Sequence, residues 1–102
     1  MARFDVYRFD SSTASLVVDV QSELLDDLAS RVVVPLVPVR KATKEVLPRL
    51  KPMIVVDGQD YILMTTDLAA LPHARLGSRV ANIGTAHRDD ITNALDFLFF
   101  GF

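Results

Sequence analysis

The chain has 102 residues, a formal net charge of −2 at pH 7, and 50% hydrophobic against 24% charged residues. This length predicts one domain, covering residues 1–102, and the apolar content is sufficient for a packed core. The acidic balance argues against direct nucleic-acid binding, and the absence of cysteine excludes disulfide and thiolate chemistry. Neither a signal peptide nor a membrane-spanning segment is evident, so we expect a cytoplasmic protein without a membrane partner.

Strand signals dominate the first part of the chain. Residues 3–9 and 16–20 mix aromatic and β-branched residues on either side of a turn-forming segment, which predicts a hairpin with a longer loop. Residues 22–30 predict a loop with one helical turn. Residues 31–40 are rich in valine but contain Pro35 and Pro38, each of which removes a ladder donor. We therefore predict an edge strand, a bent strand or two short strands there.

The second half begins with the clearest hairpin signal. Residues 53–56 and 61–64 are β-rich and flank Asp57-Gly58, a strong turn pair. Residues 66–71 predict a short helical turn, and residues 76–83 another short strand. Many short strands and one terminal helix indicate a mainly β (α+β) domain, a strongly bent sheet or barrel with a helix appended.

The terminal helix is predicted from about Ala86 to Phe99 or Phe100, with Thr85 as its cap. At about 100° per residue, one stripe faces the core and contains Ile91, Ala94, Leu95, Leu98 and Phe102. Phe100 falls opposite this stripe, on the side of Asn93 and Asp96. Phe100 is thus a contact to another molecule, or it covers the chain's own core or a dimer seam.

Catalytic chemistry is hard to find in this sequence. His73 and His87 are the candidates for a general base near neutral pH, and we interpret both as exposed or capping histidines. No metal-ligand spacing and no glycine-rich phosphate loop is present. A local basic patch is interpreted as a solvated face and contains Arg40, Lys41, Lys44, Arg49 and Lys51. We predict no catalytic residue, no metal, no cofactor and no enzymatic activity.

Several blocks, taken in their order and spacing, carry a family resemblance over nearly the whole chain. They are Val18-Asp19-Val20-Gln21-Ser22 with Leu24-Leu25-Asp26, Val34-Pro35-Leu36, Met64-Thr65-Thr66-Asp67, His87-Arg88, Asn93-Ala94, and the aromatic ending that closes in Gly101 and one apolar residue. With these blocks the chain resembles the CcdB family, the gyrase-poisoning toxins of plasmid-type toxin–antitoxin modules.

The resemblance implies an SH3-like β-barrel with additional strands and a C-terminal α-helix. It also implies a homodimer that binds the DNA gyrase A subunit, stabilises the cleaved-DNA complex, and is neutralised by a CcdA-type antitoxin with a disordered segment. The gyrase-binding residues carried over by position are Phe100, Gly101, Phe102, Phe99, Asp96, Leu24 and Leu25. Phe100 is the residue that would stack on an arginine of gyrase. Our candidates for attracting an acidic antitoxin tail are not part of the resemblance; they are Arg40, Lys41, Lys44 and Arg49.

The chain departs from well-known family members at three of these positions. Phe100 replaces a tryptophan, Phe102 a small aliphatic residue, and Asp96 an asparagine. These departures leave open a toxin matched to its own host's gyrase and a degenerate chromosomal copy with weak activity. Two further alternatives are a ribonuclease toxin of the Kid/MazF type and a non-toxic antitoxin-binding homologue, because a fold does not fix a function.

Overall fold

The computed structural model describes residues 2–10, 14–41 and 47–101. The predicted turn at residues 11–13, Lys44 and Phe102 therefore lie outside the described residues. The strands are β1 (Asp5–Arg8), β2 (Leu16–Asp19), β3 (Ser30–Pro38), β4 (Met53–Val56), β5 (Gln59–Leu63), β6 (Ala69–Pro72) and β7 (Arg79–Asn82). One helix follows, α1 (Gly84–Phe100), and single 3₁₀ turns cover Glu23–Leu25, Val39–Lys41, Thr65–Asp67 and His73–Arg75.

The strands form one curled antiparallel sheet in the order β4-β5-β3-β2-β1-β7, with β6 paired to β3 beside this path. β1 therefore lies between β2 and β7, so the N-terminal strand is held on both edges. The sheet wraps as a half-barrel around a core that α1 closes with Ile91 and Ala94. The predicted mainly β (α+β) fold, an SH3-like barrel with additional strands and a C-terminal helix, is confirmed.

The hairpin predicted around Asp57-Gly58 joins β4 and β5. Asp57 has φ 50° and Gly58 has φ 79°, so both central turn residues are left-handed. Two left-handed residues are what a type I′ turn requires, and its twist matches that of the flanking strands. This short loop fixes the register, in which Val56 pairs with Gln59.

Of the three alternatives predicted for residues 31–40, the edge strand and the two short strands are wrong. β3 is a continuous strand that pairs with β2 on one side and with β6 and then β5 on the other. Pro35 lies at the exchange between these last two partners, and its carbonyl accepts a hydrogen bond from the Met64 N–H at 2.9 Å. Pairing with β6 ends at Val33 and pairing with β5 begins at Leu36, so no strand lies opposite Pro35 on this side. The missing N–H of Pro35 therefore removes no hydrogen bond between strands.

The beginning of α1 also differs from the prediction. The helix starts at Gly84, and Thr85, the predicted cap, lies inside it. The side chain of Asn82 accepts a hydrogen bond from the first amide of the helix, the Gly84 N–H, at 3.0 Å. A Cβ at Gly84 would lie 3.0 Å from the Phe4 ring, so glycine permits this close approach.

The segment predicted as a helical turn at residues 66–71 is a 3₁₀ turn followed by β6, a strand that the sequence pattern missed. None of the helices in the described part of the chain is long and apolar enough to cross a membrane.

Candidate functional site

The C-terminal end of α1 exposes two aromatic side chains. Within the helix, the last fully buried side chain is Ala94; Leu95 packs against the core, Phe97 and Leu98 are half-buried, and the last two residues are exposed. Phe99 is 63% exposed and Phe100 is 67% exposed. Gly101, with φ 80°, ends the helix directly after them and donates its N–H to the Phe97 carbonyl at 3.0 Å. This left-handed cap gives the exposed pair a defined backbone.

The surroundings of this tip combine a carboxylate and a guanidinium. Asp96 is exposed and precedes Phe100 by one helical turn. On another side, the Arg49 guanidinium lies 4.6 Å from the centre of the Phe97 ring. The last carbonyls of a helix also carry partial negative charge, so the tip is suited to a cationic contact. Phe102, the other predicted tip residue, lies outside the described residues.

The remaining predicted site residues lie on the loop between β2 and β3. Leu24 is 94% exposed and Leu25 is 49% exposed, both on the 3₁₀ turn Glu23–Leu25. Leu24 borders a cavity of about 280 Å³ together with Arg3 and Arg88. Arg88 precedes Phe100 by twelve residues on α1, about 18 Å along the helix axis. A single chain therefore presents Leu24 beside the N-terminal half of α1, and not beside the aromatic tip.

The basic patch predicted on residues 40–51 does not form one solvated face. Arg40 and Lys41 are exposed on a 3₁₀ turn, whereas Lys51 is only 9% exposed. Arg49 faces Phe97. The interpretation of all these residues as a solvated face is wrong for Lys51, because spacing along a loop does not report burial.

The two histidines do not form an acid–base pair in the structure. His87 Nε2 accepts a hydrogen bond from the Val55 N–H at 3.1 Å, and its Nδ1 lies 2.9 Å from a carboxylate oxygen of Asp90. Both ring nitrogens of His87 are thus occupied by structural contacts. His73 is exposed on the last 3₁₀ turn. The described residues contain no group of three side chains arranged to hold a metal ion.

A buried charged network supports the β2–β3 loop. Arg31 is 1% exposed, and its Nε and Nη2 both lie 2.8 Å from Asp19 Oδ2. Its Nη1 reaches Asp26 Oδ1 at 2.8 Å, directly after the exposed leucines. Burial raises the pKa of Asp19 above its usual value, although Gln21 N–H and Arg31 oppose this effect. The strand alternation places Asp19 on the face away from the core, and this pattern did not reveal that the face is covered.

A second network lies on the same outer face of the sheet. Asp5 accepts hydrogen bonds from Arg79 Nε at 2.8 Å and Asn82 Nδ2 at 2.9 Å. Burial alone would raise the pKa of Asp5, but these hydrogen bonds outweigh burial and lower it. The Tyr7 hydroxyl donates to Asp5 at 3.2 Å, and burial together with the Asp5 charge raises the pKa of Tyr7 to about 12. These groups stabilise the fold and are not part of the predicted site.

Solved structures share this architecture. An endoribonuclease in complex with its cognate antitoxin from mycobacterial species is 20% identical with a TM-score of 0.73, and the match covers 94% of this chain and 91% of that one. The Mycobacterium tuberculosis toxin MazF-mt6 is 13% identical with a TM-score of 0.70 and 96% coverage of both chains. At these identities the similarity shows a common fold and no more.

The comparison with family models reaches further. The model described as CcdB protein matches residues 3–101, which includes the blocks of the resemblance up to Gly101 and the exposed Phe99–Phe100 pair. The chain therefore belongs to the CcdB family, a family of toxins of toxin–antitoxin systems.

Proposed function

We propose that this protein is the toxin of a type II toxin–antitoxin system that binds the DNA gyrase A subunit and stabilises the cleaved-DNA complex. The observation that carries the proposal is the exposed Phe99–Phe100 pair at the end of α1, in a chain of the CcdB family. Exposed aromatic residues on a rigid element are typical binding anchors, because little side-chain freedom is lost when they are buried.

The chemistry of the tip supports a cationic partner group. A guanidinium that stacks on Phe100 would approach the helix C-terminus, where the last carbonyls and the exposed Asp96 favour positive charge. Phenylalanine provides a smaller π-surface than tryptophan, and the Asp96 carboxylate adds an attraction that asparagine lacks. We infer an active toxin whose contact is adapted to its own gyrase.

We further propose that the protein acts as a homodimer. Exposed apolar side chains occur on β4, at the start of the Val39–Lys41 turn and at Leu47. They are Met53 at 55%, Val55 at 45%, Leu47 at 46% and Val39 at 43% exposure. Such residues suit a self-complementary surface. Light scattering at micromolar concentration tests this, and a stable monomer would contradict it.

The proposed second partner is a CcdA-like antitoxin. Family membership and the solved endoribonuclease with its cognate antitoxin support such a partner. A disordered antitoxin segment that folds on the toxin would pay ordering entropy on binding, so a large contact surface is expected.

The alternative function is that of a ribonuclease toxin of the MazF type, which the shared fold favours. That activity needs an acid–base pair at an accessible surface. His87 is held by Val55 and Asp90, and the buried Asp5 and Asp19 are bonded to arginines. This arrangement favours a protein that acts by binding and not by catalysis.

A cleavage assay with purified gyrase tests the proposal. Supercoiled plasmid incubated with gyrase and the wild-type protein is expected to accumulate cleaved DNA after denaturation, and the Phe100→Ala variant is expected to lose most of this effect. Leu28→Ala is the control for truncating an exposed apolar side chain, since Leu28 is 54% exposed and is not one of the proposed contact residues. Cleavage of total RNA without gyrase would instead support the ribonuclease, and inactivity in both assays with no growth arrest would indicate a non-toxic homologue.

A further inference from the structure

The side chain of Gln21 connects two segments that the backbone leaves unconnected. Gln21 follows the end of β2 and is only 8% exposed. Its Oε1 accepts a hydrogen bond from the Val32 N–H on β3 at 2.9 Å. Its Nε2 donates to the Leu25 carbonyl at 3.0 Å. Both ends of one side-chain amide are therefore bonded to backbone groups.

This amide continues the sheet after the chain has left it. The Val20 N–H still donates to the Val32 carbonyl at 3.0 Å, but the Val32 N–H meets the Gln21 side chain instead of the β2 backbone. A primary amide offers the same donor and acceptor as a peptide group. The main chain is thereby released to form the 3₁₀ turn Glu23–Leu25. The Gln21 side chain links this turn to β3, because it bonds both the Leu25 carbonyl and the Val32 N–H.

The turn is held on either side of this attachment as well. Ser22 Oγ accepts the Leu24 N–H at 3.2 Å, and Asp26 is paired with the buried Arg31 at 2.8 Å. Despite these ties the Leu24 side chain is 94% exposed. A fixed backbone beneath an exposed apolar side chain lowers the ordering cost of binding, which suits a recognition surface better than a mobile loop.

We propose that Gln21 is a positioning residue that holds the Leu24–Leu25 surface in its binding conformation. The identity of the partner, the gyrase A subunit, rests on the proposed function. The positioning role rests on the contacts of Gln21 alone, so the two are tested separately.

Amide hydrogen exchange of the free protein tests the positioning role. Gln21→Glu keeps the acceptor for Val32 but replaces the donor to Leu25 with a carboxylate oxygen, which repels that carbonyl. At neutral pH we expect exchange at Leu24, Leu25 and Asp26 to increase about two- to tenfold, the effect of one lost hydrogen bond, with Val18 and Ile91 unchanged.

Acidic pH offers a rescue that a general destabilisation would not show. Once protonated, the introduced carboxyl again donates to Leu25, so the difference from the wild type at the same pH should disappear near pH 4. Gln21→Met, which has neither donor nor acceptor, should remain different at both pH values. Unchanged exchange in Gln21→Glu, or an increase spread over Val18 and Ile91, would overturn the proposal.

Binding to the isolated gyrase A subunit gives the second readout. We expect Gln21→Met to weaken binding about tenfold but to cause no further loss when it is added to the Leu24→Ala/Leu25→Ala double variant, because Gln21 acts through the Leu24–Leu25 surface. Additive losses would overturn the proposal. A wild-type protein that does not bind gyrase A would overturn the proposed function, while the exchange result would still decide the role of Gln21.

Discussion

The imidazole of His87 on α1 accepts a hydrogen bond from the Val55 backbone N–H on β4 at 3.1 Å. β4 is an edge strand of the sheet in the described residues, and its Val55 N–H lies on the side away from β5. An uncovered edge is a template for pairing with another chain. His87 therefore attaches the helix to the sheet and occupies one edge donor at the same time.

This contact predicts the tautomer of His87. Since the Val55 N–H can only donate, Nε2 must be unprotonated, and the ring proton lies on Nδ1 facing Asp90 at 2.9 Å. Nitrogen-15 NMR should therefore detect the Nδ1–H tautomer, with the exposed His73 as the internal comparison. A protonated Nε2 in the neutral ring would contradict the contact. His87→Ala should lower the free energy of unfolding by about 0.5–1.5 kcal/mol.

The Tyr7 phenol should titrate late in alkali. Burial and the Asp5 charge raise its pKa from 10.0 to about 12. The neutral phenol is favoured in the folded state, so its stabilising contribution is complete below the unfolded pKa and is lost as the pH rises through about 12. Tyrosinate absorbance, assigned with Tyr7→Phe, measures this. Asp5→Asn removes the Asp5 charge and should lower the pKa of Tyr7. An unchanged pKa would show that the Asp5 charge does not contribute to the shift.

Phe100 and Ile91 should separate binding from stability. Phe100 is 67% exposed, so Phe100→Ala should change the free energy of unfolding by less than about 1 kcal/mol. Its loss of gyrase binding should be about 2–4 kcal/mol, the usual cost of truncating a central aromatic anchor. Ile91 is fully buried, and Ile91→Ala should cost about 2–5 kcal/mol of folding stability. Denaturant unfolding and titration calorimetry measure the two effects, and unfolding of Phe100→Ala would assign Phe100 to the core.

Arg49 should stabilise the last turns of α1 by stacking on Phe97. A cation–π contact at an exposed site contributes about 0.5–1 kcal/mol, and here the centroid distance is 4.6 Å. Arg49→Ala should increase exchange of the Gly101 amide, which is bonded to the Phe97 carbonyl. Arg49→Lys retains the charge but lacks the planar stacking group, so its Gly101 exchange rate should lie between those of the wild type and Arg49→Ala. Equal exchange in all three proteins would show that the stack does not support the tip.

The sequence predicted best where local chemistry decides the structure. Asp57-Gly58 fixes a hairpin through its own backbone angles, and the apolar spacing around Ile91 places Phe100 on the exposed side of α1. The edge position that was one alternative for β3 is wrong, because Pro35 indicates an edge until the exchange between β6 and β5 is known. Such an exchange depends on pairings distant in the chain.

The supporting contacts of the site were also hidden from the sequence. Asp19 lies on the face of β2 away from the core, and nothing in its sequence neighbourhood predicts that it is fully buried and bonded to Arg31. The contacts of Gln21 could not be predicted from its neighbours in the sequence, since its side-chain amide bonds both Val32 and Leu25 only in the folded chain. The exposed residues of the candidate site were thus predictable, and the residues beneath them were not.

The position of β1 between β2 and β7 has a consequence for the order in which the protein folds during synthesis. β1 pairs with β7, and Asp5 is bonded to Arg79 and Asn82, more than seventy residues later in the chain. A nascent chain that has not yet released β7 from the ribosome leaves one edge of β1 bare and lacks the helix that bears Phe100. Because domains fold as units during synthesis, the aromatic tip becomes available only after the sheet is complete. The fold itself thereby delays formation of the aromatic tip until β7 and α1 have left the ribosome.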